Sequence, residues 1–169
     1  MNKVILINGD KCVGCRTCEM VCSLSHDKEI DPYHSRIKVI KWEDAVRSIP
    51  LNCRQCEDAP CLEICPTEAI SSDEEFSRTK IDYDRCIGCR SCIYVCPFGA
   101  MAFNSQEKKV FKCDLCDCEP LCVKFCAYGA LDYVDADELN QDKQIDAAEK
   151  IFDLSSKCQI SLSNIKTRD

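Results

Sequence analysis

The cysteines of this chain are the feature that most limits what it can fold into. The chain has 169 residues, of which 18 are cysteine. All but one of them fall into four blocks, which run from Cys12 to Cys22, from Cys53 to Cys65, from Cys86 to Cys96 and from Cys113 to Cys126. Such a density is typical of a disulfide scaffold or of a metal-binding protein. Compartment and cysteine spacing decide between the two.

The first residues favour reduced thiols. The segment "MNKVILING" has one basic residue and a short apolar run, too short for the apolar part of a secretory signal or for a membrane span. We therefore expect a cytoplasmic protein without direct membrane insertion, whose thiols are metal ligands. The formal net charge of −7, with no basic stripe, argues against nucleic acid as a partner.

The blocks are repeats of one unit. Blocks one and three share the spacing C-x2-C-x2-C-x3-C, while blocks two and four widen the middle gap to four and to five residues. After blocks two, three and four stand "PTEAI", "PFGAM" and "AYGAL", and β-prone runs precede blocks one and three. Each unit thus predicts a strand, a cysteine loop, a short helical turn and a second strand, which together make a fold of the α+β class.

This spacing suits iron–sulfur clusters better than zinc. Three cysteines at two-residue gaps can supply three corners of one cube, while a fourth beyond a helical turn ligates a neighbouring cluster. Zinc closes its site with four ligands and gains nothing from that pattern. The sequence predicts four [4Fe–4S] clusters with sixteen cysteine ligands, and positive φ at Gly14 and Gly88. Spacing leaves two pairings open: first block with second and third with fourth, or first with fourth and second with third.

A family resemblance favours the second pairing. The block order and the phrases "CRQCEDAPCLEICPTEAI" and "KCDLCDCEPLCVKFCAYGAL" resemble the iron–sulfur electron-transfer subunits of bacterial and archaeal oxidoreductases, over about residues 3 to 134. The resemblance implies that the outer blocks pair and the inner blocks pair. The four ligand sets it implies are Cys12, Cys15, Cys18 and Cys126; Cys113, Cys116, Cys122 and Cys22; Cys53, Cys56, Cys61 and Cys96; and Cys86, Cys89, Cys92 and Cys65.

The same resemblance implies two ferredoxin-like lobes within a cluster-binding domain of residues 1–134. The outer lobe would use the blocks at 12–22 and 113–126, and the inner lobe those at 53–65 and 86–96. Residues 135–169 are predicted to form a C-terminal helical extension, because their apolar residues recur at helical spacing. Cys118, a fifth sulfur in block four, is expected to be a spare thiol, and Cys158 an inert packed one.

A narrower resemblance concerns the possible partner. His26, Pro32 and the "SRI" of residues 35–37 are similar to small subunits that accompany tungsten enzymes of the aldehyde:ferredoxin oxidoreductase type, including the partner of the tungsten-dependent benzoyl-CoA reductase. This implies a subunit of anaerobic metabolism with no catalytic residues. It would carry single electrons between a tungsten-pterin catalytic subunit and a soluble ferredoxin or further electron-transfer subunits. The alternatives are the iron–sulfur subunit of a formate dehydrogenase, hydrogenase or carbon monoxide dehydrogenase complex, and a free-standing polyferredoxin.

Overall fold

The computed structural model describes residues 3–44, 47–73, 78–137, 144–145 and 147–149. The chain divides into two compact units, Met1–Asp135 and Ala136–Asp169. In the second unit the described residues are helical. Most of the predicted C-terminal extension, including Cys158, lies outside the described residues. Among the helices of the described residues, none has the length and apolar character that a membrane crossing requires.

The first unit is built from short elements that alternate with the cysteine loops. Its strands are β1 (Lys3–Ile7), β2 (Ile37–Trp42), β3 (Arg47–Asn52), β4 (Ile70–Asp73), β5 (Arg78–Ile81), β6 (Met101–Asn104), β7 (Lys109–Lys112) and β8 (Leu131–Asp135). Its helices are α1 (Thr17–Asp27), α2 (Pro60–Glu63), α3 (Ser91–Val95) and α4 (Leu121–Lys124), with 3-10 turns at Gly9–Lys11 and Leu115–Cys118. The predicted α+β class is confirmed.

The strands form two-stranded antiparallel sheets, which pair β1 with β8, β2 with β3, β4 with β5 and β6 with β7. The β1–β8 sheet joins the two ends of the unit, with Lys3 opposite Asp135 and Ile7 opposite Leu131. Pro50 lies within β3, opposite Val39. A proline is tolerated there because each strand of a two-stranded sheet is an edge strand.

Helix α1 shows how the cysteine spacing is used. Residues four apart lie on the same face of a helix, so Cys18 and Cys22 both point inward and are buried. The shorter α3 and α4 bury Cys92 and Cys122 in the same way. The helical turns of blocks one, three and four therefore direct thiols into the interior, whereas α2 of block two has no buried residue.

Two cores result, and cysteine is a large part of both. The outer core consists of Ile5, Ile37, Val39, Leu115 and Leu131 with Cys18, Cys22, Cys113 and Cys122. The inner core consists of Ile70, Met101 and Val110 with Cys92. Cores with so few apolar side chains bury too little surface to offset the conformational entropy of the chain. A group bound by the thiols would supply the missing stabilisation.

Candidate metal centres

Three small cavities in the first unit are each lined by four cysteines. The residues are Cys12, Cys15, Cys18 and Cys126 for the first cavity, Cys22, Cys113, Cys116 and Cys122 for the second, and Cys53, Cys56, Cys61 and Cys96 for the third. Each cavity takes three cysteines from one block and a fourth from another block. The cavities are also alike in size, about 20, 10 and 20 Å³. Similar size and donor set indicate that all three suit the same kind of group.

The remaining four cysteines of the predicted sets meet at the inner core. Cys65 and Cys86 pack against it beside the buried Cys92. Cys89 is exposed, yet its charge interacts with those of Cys65 and Cys92. The structure therefore brings the four cysteines of this set close together beside the inner core.

Packing between helices matches the composition of the cavities. Helix α1 contacts α4, and helix α2 contacts α3. Since α1 and α4 lie in blocks one and four, the outer blocks meet in space; α2 and α3 belong to blocks two and three, which also meet. Spacing alone had left this pairing open.

Backbone amides point at the last cysteine of three blocks. Ala69 N donates to Cys65 Sγ at 3.2 Å, Ala100 N to Cys96 Sγ at 3.5 Å and Ala130 N to Cys126 Sγ at 3.3 Å. These alanines occupy matching places in the repeated tails, four residues after the cysteine. A thiolate that accepts such a bond is stabilised as the charged form, which is the form that binds metal.

Block one lacks this tail, and a distant segment takes its place. Arg36 N donates to Cys22 Sγ at 3.2 Å, while His26 Nδ1 lies 3.9 Å from the same sulfur. Burial alone raises the pKa of Cys22, but the hydrogen bonds from His26 and Arg36 outweigh it and the pKa is lowered. The insertion between blocks one and two thus supplies the donor that the local repeat gives elsewhere.

All four loops have positive φ two residues after the first cysteine: Gly14 (68°), Gln55 (49°), Gly88 (67°) and Leu115 (61°). Gly14 and Gly88 were predicted to have positive φ, and do. A Cβ on Gly88 would lie 2.1 Å from the carbonyl oxygen of Lys108, so no larger residue fits without moving the backbone. The same turn at Gln55 and Leu115 was not predicted, because left-handed backbone is strained for residues with a Cβ.

Hydroxyl groups lower the pKa of some of the thiols, and burial raises the pKa of others. Thr17 Oγ1 donates to Cys15 Sγ at 3.4 Å and lowers the pKa of that thiol, and Ser91 does the same for Cys89. Burial raises the pKa of Cys18 to about 12 and that of Cys92 to about 11. Buried thiols of this kind release their protons when a metal binds, so metal binding and folding are coupled.

The second cavity is lined by donors that have no acceptor among the described residues. Arg36 lines it, and its Nε and Nη1 atoms are buried without a hydrogen-bond partner. Asn52 Nδ2 lies 4.0 Å from Cys113 Sγ in the same region. Buried donors are normally satisfied, so unpaired donors beside four thiols fit an anionic group such as a sulfide-containing cluster.

Cys118 is not among the residues that line the second cavity. Its sulfur is hydrogen-bonded to the Tyr133 side chain; burial and this bond together raise the pKa of Tyr133 to about 12. Its charge also acts on Arg78, whereas Cys116 lines the cavity. The assignment of Cys118 as a spare thiol stays a prediction.

Fold and sites together define a ferredoxin-like iron–sulfur protein. Residues 45–136 match the model of the 4Fe-4S dicluster domain family, and the chain belongs to that family. It is 42% identical to the putative electron transport protein YsaA of Escherichia coli (strain K12), over 85% of this chain and 96% of that one. It is 37% identical to the polyferredoxin-like subunit of the aliphatic sulfonate oxidoreductase of Pyrococcus furiosus, over 88% of this chain and 92% of that one.

A solved structure shows a more distant similarity. It is the active site complex BamBC of benzoyl-coenzyme A reductase with benzoyl-CoA, matched with 27% sequence identity and a TM-score of 0.46 over 91% of this chain and 96% of that one. The sequence relatives confirm the prediction of an electron-transfer protein that is not itself the catalyst.

Proposed function

We propose that the chain binds four [4Fe–4S] clusters through the sixteen cysteines predicted from the sequence. The observation that carries this proposal is the composition of the three cavities, each of which combines three cysteines of one block with one of another. That is the sharing expected of paired clusters. For the fourth cluster the support is the meeting of Cys65, Cys86, Cys89 and Cys92 at the inner core.

The proposed domain organisation follows from the same pairing. Residues 1–134 form the cluster-binding domain, with an outer lobe from blocks one and four and an inner lobe from blocks two and three. Residues 135–169 form the extension. The contacts of α1 with α4 and of α2 with α3 support the two lobes.

Each bound cluster would supply reversible one-electron chemistry. The chain's own contribution is to fix and tune these groups. Amides such as those of Ala69 and Arg36 favour the thiolate form of their cysteines, and amide bonds to sulfur are one determinant of cluster potential. The buried thiols of α1, α3 and α4 limit the access of water. The protein thus serves as a relay of single electrons.

The catalytic partner is proposed to be a tungsten-pterin subunit of the aldehyde oxidoreductase or benzoyl-CoA reductase type. The resemblance of His26, Pro32 and residues 35–37 supports this. In the structure Arg36 N donates to Cys22 Sγ and Ser35 Oγ donates to the carbonyl oxygen of Ile37 at 2.6 Å, so these residues fix the environment of the second site. The Pyrococcus relative, named as a subunit of an oxidoreductase, supports an oxidoreductase partner.

A second candidate is a free-standing polyferredoxin of the cytoplasm. The observation that favours it is the name of the Escherichia coli relative, an electron transport protein and not a subunit of a named enzyme. Such a carrier would exchange electrons with soluble ferredoxin or with further electron-transfer proteins.

Anaerobic recovery of the native protein with whatever binds it, followed by elemental analysis, separates these candidates. About sixteen iron and sixteen sulfide per chain beyond the partner's share, together with tungsten, would support the tungsten assignment. Molybdenum or nickel in place of tungsten would indicate that the chain is a subunit of a formate dehydrogenase, hydrogenase or carbon monoxide dehydrogenase complex. Recovery without a partner would favour the free-standing carrier, and zinc without sulfide would contradict the cluster assignment.

A further inference from the structure

A lysine side chain is buried where the two cores come together. Lys112 is the last residue of β7, the strand that contains Val110 of the inner core, and Cys113 of the outer core follows it directly. Its side chain is 3% exposed. Full burial is rare for lysine unless the charge is paired, so its surroundings need an explanation.

Lys112 is positively charged in this position. Its Nζ donates to Gln55 Oε1 at 3.4 Å, to the carbonyl oxygen of Cys113 at 3.1 Å and to the carbonyl oxygen of Thr79. Three acceptors need three N–H donors, which only the ammonium form has. The hydrogen bonds therefore fix both the place of the charge and its sign.

The chain itself gives this charge no counter-ion among the described residues. All three acceptors are neutral. The nearby carboxylates are already engaged, since Asp114 Oδ1 lies 3.2 Å from His26 Nε2 and Asp117 Oδ1 accepts from Arg78 Nη2 at 2.8 Å. A buried charge without a partner is costly. The compensating negative charge is therefore expected from a group that the protein binds.

The thiols on both sides of Lys112 identify that group. Cys113, which belongs to the second set, shares its carbonyl oxygen between Lys112 and Gln55 Nε2, the latter at 2.8 Å. Gln55 itself lies between Cys53 and Cys56 of the third set. Thr79, whose carbonyl oxygen accepts from Lys112 Nζ, lines the third cavity. Lys112 thus lies between the second and third cysteine sets.

We propose that the Lys112 ammonium, held by Gln55 and Thr79, supplies the positive charge between the second and third cluster sites and raises the reduction potentials of the clusters bound there. This inference rests on the ligand sets proposed above. A positive charge in a buried, weakly screened position stabilises the reduced form of a neighbouring cluster, because that form carries one more electron. Electrons passing between the lobes would then meet a favourable charge where negative charge would otherwise accumulate.

The strained backbone at Gln55 agrees with this role. Its φ of 49° is costly for a residue with a Cβ. The conformation lets the side-chain amide bond Cys113 O through Nε2, while Oε1 accepts from Thr79 N at 3.0 Å and from Lys112. Gln55 therefore connects the second and third sites through hydrogen bonds and fixes the ammonium between them.

The test is a redox titration of Lys112→Gln, made in the full chain and isolated anaerobically, with each cluster followed by electron paramagnetic resonance. Glutamine removes the charge but keeps a polar side chain. The equilibrium constant for reduction of the clusters at the second and third sites should fall about tenfold. For a one-electron couple this lowers the reduction potential by about 59 mV. The other two potentials and the iron content should stay at wild-type values. Lys109→Gln, the same change on the same strand at a partly exposed position, should leave all potentials unchanged.

Unchanged potentials in a fully loaded Lys112→Gln variant, or an equal shift of all four clusters, would overturn the proposal. If Lys112→Gln loses iron, the Lys112→Arg variant, which keeps the positive charge, tests whether that charge is responsible. Recovery of iron and of wild-type potentials with arginine would support a role of the charge, and loss in both variants would overturn it. A wild-type protein without the iron of four clusters would instead contradict the proposed function, before Lys112 is tested.

Discussion

His26 Nε2 lies 3.2 Å from Asp114 Oδ1, although the two residues are 88 positions apart in the chain. The other ring nitrogen, Nδ1, lies 2.8 Å from the carbonyl oxygen of Cys22. Burial lowers the pKa of His26, but the bonds to Asp114 and Cys22 outweigh it and raise the pKa to about 10. One imidazolium thus connects the end of block one with the start of block four.

Replacement of this ring should loosen the outer lobe. We expect His26→Ala to lower the stability of the loaded protein by about 1.5 kcal/mol, because the partly exposed Asp114 carboxylate and the Cys22 carbonyl lose a charged donor. The guanidinium midpoint, followed anaerobically by cluster absorbance, measures the effect. His34→Ala removes only a partly exposed histidine 3.6 Å from Asp31 and should cost less than about 1 kcal/mol. Equal midpoints for the two variants would refute the role given to His26.

Gly88→Ala should damage the inner lobe. The new Cβ would lie 2.1 Å from the Lys108 carbonyl oxygen, in addition to the cost of a φ of 67°. We expect a loss of more than about 2 kcal/mol and a lowered iron content. Gly99→Ala is the matched control, since it has a φ of 58° but no atom within 4 Å of the added Cβ. It should cost only about 1 kcal/mol, and a similar loss of iron from both variants would contradict the steric explanation.

Cys116 and Cys118 should respond differently to substitution, although they are two residues apart. Cys116→Ala removes a thiol that lines the second cavity, so roughly a quarter of the iron should be lost under the sharing expected for paired clusters. Cys118→Ala removes a thiol directed at Tyr133 and should retain all of it. Iron and sulfide analysis after anaerobic isolation measures both. Full iron content in Cys116→Ala together with loss of iron in Cys118→Ala would mean that Cys118, and not Cys116, is the ligand at the second site.

Ala127→Pro should stabilise the protein slightly. Pro66 and Pro97 follow the last cysteines of blocks two and three, whereas Ala127 follows that of block four. No backbone hydrogen bond from Ala127 N occurs among the described residues, so proline should remove freedom from the unfolded chain at little cost, for a gain of about 0.4–1 kcal/mol. The guanidinium midpoint of the loaded protein would show it. A decrease in that midpoint would indicate that the backbone at Ala127 differs from that at Pro66 and Pro97.

Removal of iron should unfold the first unit. Among the described residues, the fully buried side chains of the inner core are Ile70, Met101 and Val110 besides Cys92, with partly buried residues around them. This is too little buried apolar surface to stabilise a lobe on its own. We expect chelation to abolish the near-ultraviolet circular dichroism, and anaerobic addition of iron and sulfide to restore it. Retention of the native signal in iron-free protein would show that apolar packing suffices.

The local sequence pattern was enough to predict the repeated units, but it did not predict the contacts between residues far apart in the chain. The α+β class, the helical turns and the matching places of Ala69, Ala100 and Ala130 all follow from short-range spacing. Positive φ at Gln55 was missed because its cost is offset by hydrogen bonds to residues far along the chain. The buried charge of Lys112 gave no sequence signal for the same reason.

The pairing of β1 with β8 has a consequence for biosynthesis. Lys3 cannot meet its partner Asp135 until all the residues between them have been synthesised. The inner blocks, nested between the outer ones, are complete well before that. Blocks two and three are therefore both synthesised while block four, which contacts block one through α4 and α1, is still missing. Under the proposed ligand sets, the two sites that join blocks one and four are completed only after block four has been synthesised.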